Sequence, residues 1–241
     1  MGSKGGSGHV KALAAPKTWT TQRKAVTFVA KPAPGPHSLR ISMPAYVLLR
    51  DALGQISSIK EAKKVFKQSK VLIDGRPVKD EKRATGFMDV ISSPHWAEAY
   101  RVVVDNKGKL RPIGIPTEEA NIKVSRILSK FTRKGGKVGI RLHDGTYLFV
   151  ASELAISVGD SVVLSLPERE LKEVIRMREG TVCFVFRGRS AGKIGKLIRE
   201  VPSTIKRKAL TELQLEDGST ISTPKDYVIA IGEQTPKVTL R

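Results

Sequence analysis

The chain has 241 residues, of which 43 are Lys or Arg and 23 are Asp or Glu, so its formal net charge is +20. Such an excess costs self-repulsion unless a polyanion neutralises it, which favours nucleic acid as the partner. A single cysteine excludes an intramolecular disulfide and a cysteine-cluster zinc site, and no apolar run is long enough to span a membrane.

Residues 1–50 contain no acidic residue, and cations are spread throughout them. Pro16 and the run KPAPGPH at 31–37 prevent a continuous helix. We therefore predict a basic N-terminal arm over residues 1–38 that is disordered alone and orders against its partner. The predicted phosphate contacts in and just after this arm are Lys11, Lys17, Arg23, Lys24 and Arg40.

Two short amphipathic helices are predicted next. In SMPAYVLLRDALG, Pro44 falls near a helix start and Gly54 falls where a C-terminal cap is expected. In SIKEAKKVFKQ, apolar residues lie along one face and lysines occupy the opposite face, with Glu61 as the only acid beside them. The lysines of this segment are predicted to contact phosphate, together with the lysine that follows the helix: Lys60, Lys63, Lys64, Lys67 and Lys70.

Short strands complete this unit. The pair Asp74-Gly75 between apolar runs predicts a tight hairpin in VLIDGRPV. GFMDVIS at 86–92 and YRVVVD at 100–105 are predicted as further strands, and a turn at 106–108 leads out of the unit. We predict a small helix-helix-sheet domain over residues 39–105.

A central β-rich domain is predicted over residues 106–178. KVGIRL, TYLFVA and VGDSVVLSL have the apolar content and glycine turns that are typical of strands. The segment 116–133 fits either a helix or a strand with a loop, and its pattern does not decide between them. Two cations beside Gly135-Gly136, Arg133 and Lys134, are predicted phosphate contacts.

The segment 179–241 alternates short apolar runs with glycine turns, which predicts a small β-barrel. Within it, Cys183 lies in the run TVCFVF and is predicted to be a buried strand residue.

The stretch RGRSAGKIGK at 187–196 combines glycines with cations, as a phosphate-binding loop does. A nucleotide-binding P-loop needs four residues between its first glycine and the Gly-Lys pair, and then Ser or Thr as a magnesium ligand. Here three residues separate Gly188 from Gly192, and Ile194 follows Lys193. We therefore predict that the glycines shape a turn and that the cations meet nucleic-acid phosphates: Arg187, Arg189, Lys193 and Lys196.

Enzyme motifs such as G-x-S-x-G and H-E-x-x-H do not occur in the sequence. No catalytic residue, metal site, cofactor or small-molecule substrate is predicted, and Asp89 and Asp144 are interpreted as turn or salt-bridge residues. Aromatic residues make up 5% of the chain, and Phe149, like Phe66, Phe184 and Phe186, falls in a pattern that suits a core. Binding through phosphates and shape is therefore favoured over base stacking, with Trp19 and His37 as the only stacking candidates.

Three segments resemble one ribosomal protein family. HVKALAAPKTW at 9–19, GPHSLR at 35–40 and GFMDVIS at 86–92 are similar to the S4e ribosomal proteins of archaeal and eukaryotic small subunits. The helix pair with VLIDGRPV resembles an S4 RNA-binding domain, and EGTVCFVFRGRSAGKIG at 179–195 resembles a KOW motif in an SH3-like barrel. Because the chain ends soon after the barrel, it resembles the archaeal form.

The resemblance implies an α+β, multi-module fold and a structural, non-catalytic protein of the small ribosomal subunit in the cytoplasm. Its implied partners are small-subunit ribosomal RNA and neighbouring ribosomal proteins, with no membrane contact and no homo-oligomer. Two alternatives remain open at this point. S4 domains also occur in RNA-modifying enzymes, and KOW motifs also occur in transcription factors.

Overall fold

The computed structural model describes residues 8–22, 24–133, 138–150, 156–205 and 207–240. Over these residues the chain is mostly β, so the helical part of the predicted α+β fold is small. Helix α1, Ala45–Val47, continues into a π-helical turn at Leu48–Ala52, and helix α2 spans Ile59–Lys67. Short 3-10 turns lie at Ala12–Ala14, Leu39–Ile41, Glu119–Asn121 and Lys225–Tyr227.

The strands of the described ranges form three five-stranded and two two-stranded antiparallel sheets. The two-stranded sheets pair β1 (Val10–Lys11) with β2 (Phe28–Val29), and β3 (Ser42–Pro44) with β6 (Ala84–Gly86). The first sheet has the order β5-β4-β7-β8-β9, with β4 Leu72–Ile73, β5 Arg76–Pro77, β7 Val90–Ser92, β8 Ala99–Val104 and β9 Leu110–Ile115. The central sheet has the order β12-β11-β10-β13-β14, with β10 Ile122–Thr132, β11 Val138–Leu142, β12 Tyr147–Val150, β13 Ser161–Ser165 and β14 Glu170–Ile175. The C-terminal sheet has the order β18-β17-β16-β15-β19, with β15 Val182–Val185, β16 Ile194–Val201, β17 Leu210–Leu215, β18 Thr220–Pro224 and β19 Val228–Gly232.

The described part of the predicted N-terminal arm is folded against the rest of the chain. Val10 pairs with Val29, and Trp19 is 3% exposed while its Nε1–H donates to the Ser42 carbonyl at 2.6 Å. His37 is also buried. The prediction of an arm without structure of its own is therefore wrong for these residues. Burial also removes Trp19 and His37 as base-stacking candidates.

The two predicted helices are confirmed. Gly54 ends the first with φ +65°, and Ser58 caps the second because its Oγ accepts from the Glu61 N–H. Ala62 and Phe66 of α2 are fully buried, so this face of the helix packs on the core, as the apolar spacing predicts.

The Asp74-Gly75 hairpin is confirmed, and both residues have positive φ, as a tight primed turn requires. The predicted strand at 86–92 is wrong in part. Strand β6 ends at Gly86 and β7 begins at Val90, and between them Met88 takes φ +69°. This turn directs Asp89 into the interior, where it is 2% exposed.

The structure changes the predicted boundary after Asp105 and resolves the ambiguous segment at 116–133. Strand β9 pairs with β8 along its whole length, so the predicted boundary after Asp105 cuts between two paired strands. The ambiguous segment at 116–133 consists of the 3-10 turn at Glu119–Asn121 followed by strand β10, whose first half pairs with β13 and whose second half pairs with β11. It contains no α-helix.

Aromatic stacking joins the first sheet to the C-terminal sheet. The ring of Phe87 is stacked on Phe184 and Phe186, with centroid distances of 5.5 and 5.2 Å. Cys183 is buried in β15, and burial raises the pKa of its thiol to about 12. Phe149 is 53% exposed, so its predicted core position is wrong. Among the described residues, no helix is long and apolar enough to cross a bilayer.

Candidate nucleic-acid interface

Four buried charged residues connect the first sheet to the central sheet. We call them the ionic cluster. The Nζ atom of Lys123 lies 2.7 Å from Asp74 Oδ2, 2.7 Å from Asp89 Oδ1 and 3.2 Å from Asp144 Oδ2. Each of these side chains is at most 3% exposed. Lys123 belongs to the central sheet, whereas Asp74 and Asp89 lie in turns of the first sheet. The cluster therefore joins the two sheets.

Local turn chemistry aims the carboxylates of the ionic cluster at Lys123. In each case one carboxylate oxygen accepts a backbone N–H from the aspartate's own turn or the paired strand, as is common for aspartates in turns. The other oxygen is left for the lysine. The donors to Asp74, Asp89 and Asp144 are the N–H groups of Val90 at 3.2 Å, Gly86 at 2.8 Å and Thr146 at 3.0 Å.

The charges of the ionic cluster outweigh the cost of burial for Lys123, Asp89 and Asp144, whereas burial is the main cause that raises the pKa of Asp74 above its ordinary value. Burial alone lowers the pKa of Lys123, but the three carboxylates raise it above its ordinary value, so the ammonium stays charged. Burial alone raises the pKa of Asp89, but His37 and Lys123 hold it below its ordinary value. In the same way, Lys123 holds the pKa of Asp144 at about 2 against the effect of burial.

Two further side chains flank the ionic cluster. His37 Nε2 lies 3.0 Å from both carboxylate oxygens of Asp89, which ties the N-terminal arm to the first sheet. An Nη2 atom of Arg169 lies 3.4 Å from Asp74 Oδ2. The interpretation of Asp89 and Asp144 as salt-bridge residues is confirmed, but their common partner was missed. Its only signal was a lysine between two apolar residues of a strand, Ile122 and Val124.

The predicted RNA contacts differ from the ionic cluster in both burial and pairing. All of them that lie in the described residues are exposed, and none forms a salt bridge within that part of the chain. Arg23 and Lys134 lie outside the described residues. The exposed residues are Lys11, Lys17, Lys24, Arg40, Lys60, Lys63, Lys64, Lys67, Lys70, Arg133, Arg187, Arg189, Lys193 and Lys196.

The lysines of α2 are exposed beside an acid that is already engaged. Glu61 Oε2 accepts both the N–H and the Oγ–H of Ser57 at 2.9 Å. These bonds, the backbone one first, hold the pKa of Glu61 below its ordinary value. Glu61 is thus engaged at the helix N-terminus, and the lysines of this face form no salt bridge within the described residues.

The cations of RGRSAGKIGK lie on and after the turn between β15 and β16. Strand β16 begins at Ile194, so no helix N-terminus follows the glycines to receive a nucleotide phosphate. The guanidinium of Arg187 lies over the ring of Tyr227 at 5.3 Å. Arg40 and Arg187 line the same cleft, of about 190 Å³, so the structure brings together two predicted contacts that are far apart in sequence.

Glycine is required in this turn for packing as well as for conformation. Gly192 has φ +82°, and a Cβ atom there would lie 2.6 Å from the Asn106 nitrogen and 2.6 Å from the Asp105 carbonyl carbon. Both contacts are with the backbone of the β8–β9 turn. The glycine therefore allows the C-terminal sheet to approach the first sheet closely.

We expect Gly192→Ala to lower the free energy of unfolding by about 1–3 kcal/mol, because it adds a backbone clash to the conformational strain. Gly218→Ala is the matched control, since Gly218 has φ +76° and no atom lies within 4 Å of the position that its Cβ atom would take. Urea denaturation of both variants measures the difference. Equal losses in the two variants would show that the contact with Asn106 does not matter.

Exposed cations on the arm, on α2, on the central sheet and on the β15–β16 turn give the chain several positively charged faces, an arrangement typical of proteins that bind a polyanion. The comparisons agree with this class. The model of Ribosomal family S4e matches residues 96–171, and the model of the RS4NT (NUC023) domain matches residues 4–40.

Similar proteins cover the whole chain. Small ribosomal subunit protein eS4 of Methanocaldococcus jannaschii is 36% identical over the full length of both chains, and that of Methanothermobacter thermautotrophicus is 38% identical over 96% of this chain and 95% of its own. The crystal structure of 30S ribosomal protein S4e from Thermoplasma acidophilum has a TM-score of 0.67 and 28% identity, and the match covers 80% of this chain and 95% of that one. This chain belongs to the S4e ribosomal protein family, in its archaeal form.

Proposed function

We propose that this chain is a structural, non-catalytic constituent of the small ribosomal subunit, located in the cytoplasm, and that it binds small-subunit ribosomal RNA. Membership of the S4e family supports the ribosomal role. The observation that carries the RNA contact is the set of exposed cations without carboxylate partners, which leaves positive charge available to phosphates. Neighbouring ribosomal proteins are its further partners, and it is present as a single copy.

We also propose the modular layout behind this function. The arm occupies residues 1–38, in agreement with the extent of the RS4NT match. The S4-like RNA-binding domain begins at residue 39 and contains α1, α2 and the first sheet, which moves its end from 105 to about 115. The central β-rich domain follows to residue 178. Residues 179–241 form an SH3-like barrel whose KOW motif is the β15–β16 turn region.

Sedimentation tests the ribosomal role. We expect the protein to travel with small-subunit particles through a gradient and to remain bound at high salt, because contacts on several modules add together. Recovery with RNA polymerase and not with these particles would instead support a KOW-type transcription factor. A stoichiometric base modification after incubation with ribosomal RNA would support an RNA-modifying enzyme.

We expect the triple variant Lys60→Gln, Lys64→Gln, Lys67→Gln to fold normally and to bind ribosomal RNA more weakly. Each lost phosphate contact should reduce the slope of log affinity against log salt by up to about one unit. Filter binding of a small-subunit ribosomal RNA transcript across a salt series measures this slope.

The control for this variant removes the same charge at lysines that are already paired. Lys208, Lys225 and Lys237 each lie within 4.0 Å of a carboxylate. Replacing these three by Gln should change the slope much less. If the two triple variants lower the slope equally, net charge and not the α2 face explains the effect.

A further inference from the structure

The outer face of the central sheet exposes three aromatic side chains. Phe131 is 37% exposed, Tyr147 is 57% exposed and Phe149 is 53% exposed. Phe131 pairs with Gly139, which pairs with Phe149, so these positions lie on one line across β10, β11 and β12. Tyr147 precedes Phe149 by two residues and therefore lies on the same face. We call Phe131, Tyr147 and Phe149 the aromatic face.

The rings of the aromatic face contact one another edge to face, with Phe131 in contact with both other rings. The ring of Phe131 meets Tyr147 at a centroid distance of 6.0 Å and Phe149 at 6.4 Å, both edge to face. Phe131 also covers Gly139, where a Cβ atom would lie 2.4 Å from the ring. The face is therefore preorganised on strands, and Tyr147 and Phe149 remain more than half exposed beside Phe131.

The charge around the aromatic face is positive. The guanidinium of Arg133 lies over the ring of Phe149 at 5.4 Å, and the exposed Arg141 is paired in register with Tyr147. Strands β10, β11 and β12 contain no Asp or Glu. Proteins that bind single-stranded nucleic acid combine aromatic rings, which stack on bases, with cations, which contact phosphates. The aromatic face and its two arginines provide both.

We propose that the aromatic face stacks on unpaired bases of RNA, while Arg133 and Arg141 neutralise the adjacent phosphates. This inference rests on the proposed RNA-binding function and adds a second kind of contact to it. The exposed lysines elsewhere bind through charge alone, whereas this face distinguishes an unpaired base from a bare phosphate chain. Complementarity of charge favours RNA over an apolar protein segment as its occupant.

Two oligonucleotides separate stacking from charge. A 12-nucleotide oligoadenylate and an abasic 12-mer of equal charge are each titrated with the full chain, and binding is followed by fluorescence anisotropy. We expect the wild-type chain to bind the oligoadenylate about 5-fold to 100-fold more tightly than the abasic strand. The double variant Tyr147→Leu, Phe149→Leu should lose most of this preference and keep its affinity for the abasic strand.

A ring exchange is the matched control. The variant Tyr147→Phe, Phe149→Tyr retains both rings and the composition of the chain, so it should bind as the wild type does. Circular dichroism of both double variants checks that the sheet is intact. An unchanged preference in the leucine variant, or equal binding of the two strands by the wild-type chain, would overturn the stacking proposal.

Binding of a small-subunit ribosomal RNA transcript distinguishes this failure from that of the proposed function. If the wild-type chain binds the transcript but shows no preference for bases, stacking is wrong and the RNA-binding function stands. If it binds neither the transcript nor the oligonucleotides, the function itself is wrong, and stacking with it. If the leucine variant binds RNA normally but enters small-subunit particles poorly, the face contacts a protein and the proposal is overturned.

Discussion

Replacing Lys123 by methionine is expected to lower the free energy of unfolding by about 3–5 kcal/mol, because it leaves a buried group of carboxylates without its central cation. Methionine is an unbranched side chain of similar length, so lost packing contributes little. The three aspartates contact Lys123 at 2.7, 2.7 and 3.2 Å, and all are nearly inaccessible to water. Urea denaturation at neutral pH measures the loss.

The control is Lys130→Met on the same strand. Lys130 is exposed, and its Nζ–H donates to the Ile156 carbonyl at 3.3 Å. We expect this change to alter stability by no more than about 0.5 kcal/mol. The Lys123 variant has a second signature. Its uncompensated carboxylates should have raised pKa values, so its deficit against the wild type should shrink as the pH falls. A loss below about 1 kcal/mol would mean that Lys123 is dispensable for the ionic cluster.

The ionic cluster also shows where some of the few acids of this +20 chain lie, because three of them are buried against Lys123. In the same way, Glu119, which is half-buried, pairs with the buried Arg101. Internal salt bridges thus connect the sheets, and the cations without carboxylate partners lie on the surface. Repulsion among these surface cations disfavours the compact state, and bound RNA would relieve it.

Features with local causes could be predicted from the sequence. The lysine face of α2 follows from helical spacing, and the Asp74-Gly75 hairpin follows from the need for positive φ at both positions. The exposure of the cations at 187–196 follows in the same way from glycine turns between strands. In each case the pattern and its result lie within about a dozen residues.

Features with distant causes could not be predicted. Lys123 meets Asp74 across 49 residues, and no spacing rule connects them. Phe149 has the apolar neighbours of a core residue, but only the pairing of β10, β11 and β12 decides that it faces outward. Similarly, the turn after Asp105 suggested an exit from the domain, whereas β9 returns to pair with β8.

We expect stability to fall as the pH is lowered from 6.5 to 4, and His143 to cause much of this loss. Its two ring nitrogens fit only a neutral imidazole. Nδ1 accepts the Arg126 N–H at 3.2 Å, and Nε2–H donates to the Phe87 carbonyl at 3.2 Å. A proton on Nδ1 would point at the Arg126 N–H, so two hydrogen-bond donors would face each other and this hydrogen bond would be lost. Burial is the main cause that lowers the pKa of His143, and Lys123 and His37 add to it, against Asp144.

The folded-state pKa of His143 is about 4, against an ordinary value of 6.5. Between these values the unfolded chain binds more protons than the folded chain, so the contribution of His143 is complete above 6.5 and is lost as the pH falls toward 4. The shift corresponds to a loss of up to about 3 kcal/mol. Urea denaturation at intervals of pH measures it.

The variant His143→Gln should remove this part of the pH dependence, because glutamine does not titrate in the window. His95→Gln is the control, since His95 is exposed. Asp144 does not confuse the measurement, because its folded-state pKa of about 2 places its contribution below pH 4. If the curves of the wild type and the His143 variant stay parallel from pH 7 to 4, the imidazole is not held neutral by Arg126 and Phe87.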